Sequence, residues 1–218
     1  DVYAGANRIT PAGVIELVRI AEETGVDALS VLTPMFISQT QREIAKYYRT
    51  IADATSLPIV IYNNKPKTNV TVEPQTIREL AAVPNIIGVK DSTGDMTNTE
   101  EYLRLTRGMP DFHVLMGRDT LIFAALCYGA AGAITSCGNV APKLAVDIYE
   151  HHRAGRLAEA LEAQFKLSAL RIATNMGTFP VVIKEALTLL GYDVGTCKAP
   201  ILPLEEGQRA ALRGLLRE

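Results

Sequence analysis

Six short apolar runs, separated by helix-patterned stretches, recur along the 218-residue chain at intervals of roughly 20 to 30 residues, the size of one βα unit. They cover residues 1–5, 27–33, 58–62, 85–90, 112–117 and 132–136. Strict alternation of strand and helix implies a parallel sheet covered by helices. Parallel strands buried on both faces read as nearly continuous apolar runs, as these do. The helical stretches carry their own start signals. Thr10-Pro11 pairs an N-cap with proline at the first helical position. Thr40-x-x-Glu43 and Thr97-x-x-Glu100 have the form of capping boxes, and Asp119 can cap a helix that runs to Gly129.

After Ala141 the strand pattern stops and helical periodicity continues over residues 141–153, 157–173, 180–190 and 205–216. The expected α/β architecture is therefore a (β/α)8 TIM barrel lacking about two N-terminal βα units. Residues 1–140 would supply strands 3 to 8. Residues 141–218 would supply the last barrel helix and a C-terminal helical extension of the same structural domain. The alternative is an open doubly wound sheet, but no Gly-x-Gly-x-x-Gly follows the first strand.

Charge and cysteine content narrow the function classes. A formal net charge of −2 and a pI near 6.0, with lysine and arginine scattered, give no electrostatic footprint for nucleic acid or an anionic membrane. No apolar run approaches the roughly 18 residues that a membrane helix needs. Cys127, Cys137 and Cys197 have no metal-type spacing and read as thiols in a reducing compartment, so a cytoplasmic location is expected. The histidines, His113, His151 and His152, are too few and scattered for a zinc site.

Lys90 carries the most chemistry. It ends the run 86–90, at the strand tip where barrel enzymes place their reacting groups. Period-2 alternation puts Ile86, Gly88 and Lys90 on one face. If that face lines the barrel, apolar enclosure favours the neutral amine, the form that attacks a ketone carbonyl. The bland alternative is a lysine paired with Asp91 or Asp95. Tyr62 ends the preceding strand run on the same rim, where a phenol can relay protons to a carbinolamine, or merely pack its ring. The polar loop that follows, residues 63–68, offers Lys65 and Lys67. Lys65 or Lys67 could hold a substrate carboxylate as a point charge, or both could be solvated loop lysines. The small-residue run 129–136 allows a ligand to approach the backbone closely, or simply packs tightly against a helix.

The ordered set Tyr62-Asn63, Gly88-Val-Lys-Asp-Ser92-Thr-Gly-Asp95, Gly117-Arg-Asp119, Gly129 to Ser136 and Asn139-Val-Ala-Pro142 resembles the dihydrodipicolinate synthase / N-acetylneuraminate lyase family. The likeness extends to Phe179-Pro180 and Lys184-Glu-Ala186. It implies a Schiff-base-forming lyase of class I aldolase type, in which Lys90 forms an imine with pyruvate or another 2-oxo acid and Tyr62 shuttles protons. Lys67, Ile134, Gly117 and Asp119 are then expected to bind substrate. No metal or organic cofactor is implied, because the protonated imine is the electron sink. The partners implied are the 2-oxo acid, an aldehyde, and further copies in a homotetramer built as a dimer of dimers.

The chain also departs from the family pattern. The Gly-Thr-Thr-Gly motif would lie before Asp1. Thr33-Pro34 is followed by Met35-Phe36 where synthases usually carry Tyr-Tyr, and Lys67 stands where they carry an arginine. Aspartate semialdehyde is the favoured aldehyde. The alternatives are a 2-keto-3-deoxy sugar acid aldolase or N-acetylneuraminate lyase and, in another class, a non-catalytic paralogue or assembly fragment.

Overall fold

The computed structural model describes residues 1–217; Glu218, which ends the helical segment expected over 141–218, lies outside the described residues. The strands are β1 (Tyr3–Gly5), β2 (Ala28–Leu32), β3 (Ile59–Asn63), β4 (Ile86–Asp91), β5 (His113–Met116) and β6 (Gly132–Ala133). The helices are α1 (Pro11–Thr24), α2 (Gln41–Ala52), α3 (Lys65–Thr68), α4 (Pro74–Leu80), α5 (Met96–Thr106), α6 (Ile122–Cys127), α7 (Pro142–Arg153), α8 (Leu157–Ala173), α9 (Val181–Leu189) and α10 (Glu206–Leu215). They fall into two compact units, one of residues Asp1–Arg118 with Tyr128–Ile134, the other of Asp119–Cys127 with Thr135 onward.

The first unit holds the whole sheet. Its strands pair in parallel and in chain order, β1-β2-β3-β4-β5-β6. A doubly wound sheet must reverse its strand order at a switch point; this one never does. One face is the hydrophobic core. Leu29, Ile59 and Ile86 form one registered row and Val31, Ile61, Val89 and Val114 the next, packed with Val14 and Val18 of α1, Ile44 and Tyr48 of α2, Leu80 of α4 and Tyr102 of α5. Each buried aliphatic side chain contributes about 1.5–3 kcal/mol. The opposite face carries Ser30, Val60 and Gly88, then Leu32, Tyr62, Lys90 and Leu115.

A bulge in β4 corrects the expected alternation. Ile59 pairs with Ile86, but the next residue, Val60, pairs with Gly88, so Ile87 is an inserted residue. Ile86 therefore packs into the helix-side core, while Gly88 and Lys90 share the other face. The tight turn of backbone has a cost in permitted side chains: a β-carbon at Gly88 would overlap the carbonyl oxygen of His113 and lie 3.3 Å from its carbonyl carbon. Because the obstacle is backbone, Gly88→Ala should destabilise by about 2 kcal/mol and lower the melting temperature by roughly 4–8 °C in calorimetry.

Two of the four start signals hold as read. Thr10 accepts from the Gly13 N–H with Pro11 behind it, and Thr40 forms the full reciprocal box with Glu43. The other two are corrected. Asp95, not Thr97, caps α5, because its carboxylate reaches the N–H groups of both Thr97 and Asn98. Asp119 opens a 3-10 turn, Asp119–Leu121, and its side chain turns away from that helix toward Cys137.

The second unit is helical. Gln164 of α8 bridges the start of α6, accepting from the Phe123 N–H at 2.9 Å and donating to the Asp119 carbonyl at 2.8 Å. Val181, Val182 and Ala186 of α9 pack with Leu204 and Leu212 in a separate small core. Among the described residues no helix is long and apolar enough to cross a membrane.

Candidate active site

The residues expected to react meet at the C-terminal ends of β3 and β4. Tyr62 and Lys90 are direct register partners on these adjacent strands. Lys90 Nζ lies 4.2 Å from the centroid of the Tyr62 ring, a cation–π distance that holds the chain of the lysine over the phenol. Both side chains are half-buried. Lys90 makes no ion pair among the described residues, so the reading in which Asp91 or Asp95 neutralises it has no support. Asp95 is engaged at the start of α5.

Asp91 is engaged on the other side of the sheet. Its carboxylate is buried and accepts from Thr99 Oγ1 at 2.7 Å, from the Thr93 N–H at 3.0 Å and from Asn98 Nδ2 at 3.1 Å. Asn63, which follows Tyr62, donates to Tyr102 Oη at 2.8 Å and accepts from the Val72 N–H at 3.2 Å; the Tyr102 hydroxyl donates to the Val72 carbonyl. Burial, with the Asp91 charge nearby, raises the Tyr102 phenol well above its usual range, so it remains a donor. This network ties together the residues directly after Tyr62 and Lys90. Asn63 Nδ2 also donates to Asp91 Oδ1 at 3.4 Å. A buried polar group left unpaired costs about 1–3 kcal/mol, so the network resists independent movement of the two strand ends.

Gly117 supplies room. A β-carbon there would overlap Ser92 Oγ and stand 3.1 Å from Lys90 Cε. Ser92 Oγ donates to the Gly117 carbonyl at 3.2 Å, and the Gly117 N–H donates to the Asp91 carbonyl at 2.7 Å. Ile134, half-buried, extends the ladder beyond β6 by donating its N–H to Met116 at 2.9 Å. Counting along β4, β5 and β6 puts Gly117 and Ile134 one same-face step beyond Leu115 and Gly132, the registered neighbours of Lys90. Lys65 and Lys67 are exposed on the single turn α3, and neither forms an ion pair among the described residues.

Asp119 belongs to the second unit and is 2% exposed. Its carboxylate accepts from the Thr135 hydroxyl, from Ser136 Oγ at 3.2 Å and from the Cys137 N–H at 2.9 Å, with Arg171 Nε at 3.6 Å. Those bonds fold residues 135–139 into a turn, which is why the expected strand 132–136 ends at Ala133. Burial, reinforced by the Asp119 charge, pushes the Cys137 thiol up to about 12, so it stays protonated and is no nucleophile near neutral pH.

Sequence reasoning missed Asn64. Its Nδ2 donates to Tyr62 Oη at 2.9 Å. The only signal was the Asn-Asn doublet at the end of a strand, which reads first as turn chemistry.

Comparison with known proteins matches residues 2–218 to the Dihydrodipicolinate synthetase family. The chain is 33% identical over 219 residues to the 4-hydroxy-tetrahydrodipicolinate synthase of Thermotoga neapolitana, covering 100% of this chain and 74% of that protein. Among solved structures it is similar to dihydrodipicolinate synthase from Thermotoga maritima, with a TM-score of 0.95 and 32% identity over 99% of this chain and 74% of that one. A prophage protein of the dihydrodipicolinic acid synthase family from E. coli, solved in complex with pyruvate, gives a TM-score of 0.94 and 31% identity, with 99% of this chain and 74% of that one covered.

Proposed function

The chain belongs to the dihydrodipicolinate synthetase family of class I aldolase-type lyases, and from that premise we propose that it joins pyruvate to an aldehyde through an imine at Lys90. The observation that carries this reading is the registered pair itself, with Lys90 Nζ 4.2 Å above the Tyr62 ring on neighbouring strand ends. The neutral amine adds to the ketone carbon to give a carbinolamine. Protonation of its oxygen releases water and leaves a protonated imine. Loss of a proton from the methyl carbon gives an enamine, whose carbon attacks the aldehyde. Tyr62 is the proton carrier in these steps. In this reading Gly117 and Ile134 border the reacting carbon.

The six sequential βα units are read as part of a (β/α)8 barrel followed by a helical extension, in keeping with the unreversed strand order and the likeness to the synthase structures. Free cysteines support a cytoplasmic enzyme. Exposed Phe165 and Ile172 on α8, and Phe36 and Ile37 after β2, favour association with further copies, a homotetramer in this reading.

Aspartate semialdehyde is the favoured aldehyde because Lys67 is an exposed cation, without an ion pair among the described residues, on the loop that follows Tyr62. A hydrogen bond from it to a substrate carboxylate is worth about 1.5–3 kcal/mol, or roughly one to two decades in kcat/KM. Lys67→Met should therefore impair condensation with aspartate semialdehyde by that amount and leave imine formation with pyruvate nearly unchanged. Lys67→Arg should preserve or improve condensation, because a planar fork grips both carboxylate oxygens. Phe36, 91% exposed at φ 78° where a proton-donating tyrosine is usual in the synthases, argues against an orthodox synthase and leaves the second reading, a sugar-acid lyase, in play. Equal small losses in both steps for Lys67→Met, with activity retained on neutral sugar-derived aldehydes, would decide for that reading. A non-catalytic role gains no support from a chain that keeps both Lys90 and Tyr62 in register.

A further inference from the structure

We infer that Asn64 is a positioning residue for the proton relay, holding the phenol of Tyr62 so that its own proton faces the oxygen of a 2-oxo acid reacting at Lys90. This rests on the imine reading above. Asn64 stands at the N-cap of α3, where an asparagine side chain would ordinarily accept from a helix N–H. It makes no such bond. Its backbone carbonyl already holds the turn, accepting from the N–H groups of Lys67 at 2.9 Å and Thr68 at 3.1 Å and from Thr68 Oγ1 at 3.2 Å. The side chain is thus released from capping, and its Nδ2 donates to Tyr62 Oη at 2.9 Å.

The polarity of that bond matters. An amide NH2 group only donates, so the phenol oxygen must accept from it, and the phenol keeps its single O–H for another acceptor. The side of the ring that faces Lys90 is where that acceptor forms. In the dehydration step the phenol proton passes to the carbinolamine oxygen, the C–O bond breaks, water leaves, and the nitrogen lone pair closes the C=N bond. The phenolate left behind then takes a proton from the methyl carbon as the enamine forms. Between those two transfers the Asn64 N–H faces a charged oxygen, and such bonds are shorter and roughly twice as strong as neutral ones. The contact is therefore stronger in the intermediate than in the resting enzyme, which is the condition for accelerating a step.

The test is the rate of borohydride trapping of pyruvate on the full-length gene product, measured against pyruvate concentration. Asn64→Leu should lower the saturating rate about tenfold and leave the half-saturating pyruvate concentration unchanged. Asn64→Asp, nearly isosteric, replaces the donor by an acceptor that claims the phenol proton, and should lower the rate about a hundredfold. The double variant Tyr62→Phe/Asn64→Leu should be no slower than Tyr62→Phe, because Asn64 acts through the hydroxyl that is already gone. An unimpaired Asn64→Asp protein, or losses that multiply in the double variant, would overturn the inference and leave the imine at Lys90 standing. If Asn64→Leu fails to fold, Asn64→Asp and the pyruvate dependence decide. Failure of the unsubstituted protein to be trapped at Lys90 removes the reading beneath it, and the inference falls with it.

Discussion

Lys90→Ala should abolish turnover, a fall of at least three decades or about 4 kcal/mol in the barrier, while the melting temperature stays within a few degrees of the parent. The asymmetry follows from the surroundings of the side chain. Lys90 is half-buried and its amine lies over the face of Tyr62, a contact worth about 0.5–2 kcal/mol. Removing it leaves no buried partner charge, because Asp91 is satisfied by Thr93, Asn98 and Thr99 on the opposite side of the sheet. No other amine shares its place in the register, so no neighbour replaces the nucleophile. Steady-state assays alongside calorimetry test both halves. A variant that retains turnover would place the nucleophile elsewhere.

Tyr62→Phe should lower kcat by about 10² to 10⁴, the usual range for loss of a general acid–base group. The substitution is informative because it keeps the ring. The cation–π contact with Lys90 and the strand register survive, and only the hydroxyl with its hydrogen bond from Asn64 is lost. The stability change should stay near 1 kcal/mol. Pyruvate should still bind, so the loss should appear in kcat and in the trapping rate more than in the concentration of pyruvate needed. A Tyr62→Phe protein within a fewfold of the parent would leave Tyr62 a packing residue.

The pairing of these two residues is legible in the sequence. Each ends an apolar run, the runs lie one βα unit apart, and sequential parallel strands bring such ends side by side. What escaped was local. One inserted residue, Ile87, rotates Ile86 onto the other face, and that depends on which Val60 partner forms, a matter of inter-strand hydrogen bonding that period-2 counting cannot see. Thr97 lost the cap of α5 to Asp95 because a carboxylate two residues earlier reaches two N–H groups at once. Asp119 read as a helix cap from its neighbours in sequence, yet its carboxylate is claimed by Thr135, Ser136 and Cys137, partners that only the tertiary fold supplies. Asn64 escaped for a different reason: an Asn-Asn doublet after a strand reads as turn chemistry, and only the folded loop brings its side chain to the Tyr62 hydroxyl.

The central claim is a covalent one, and a covalent measurement tests it most directly. The full-length protein, incubated with pyruvate and reduced with borohydride, should gain one reduced pyruvate adduct per chain, and peptide mapping should place it on Lys90. Lys90→Ala should gain none. An adduct on Lys65, Lys67 or any other amine with Lys90 unmodified, or no adduct at saturating pyruvate, would contradict the account.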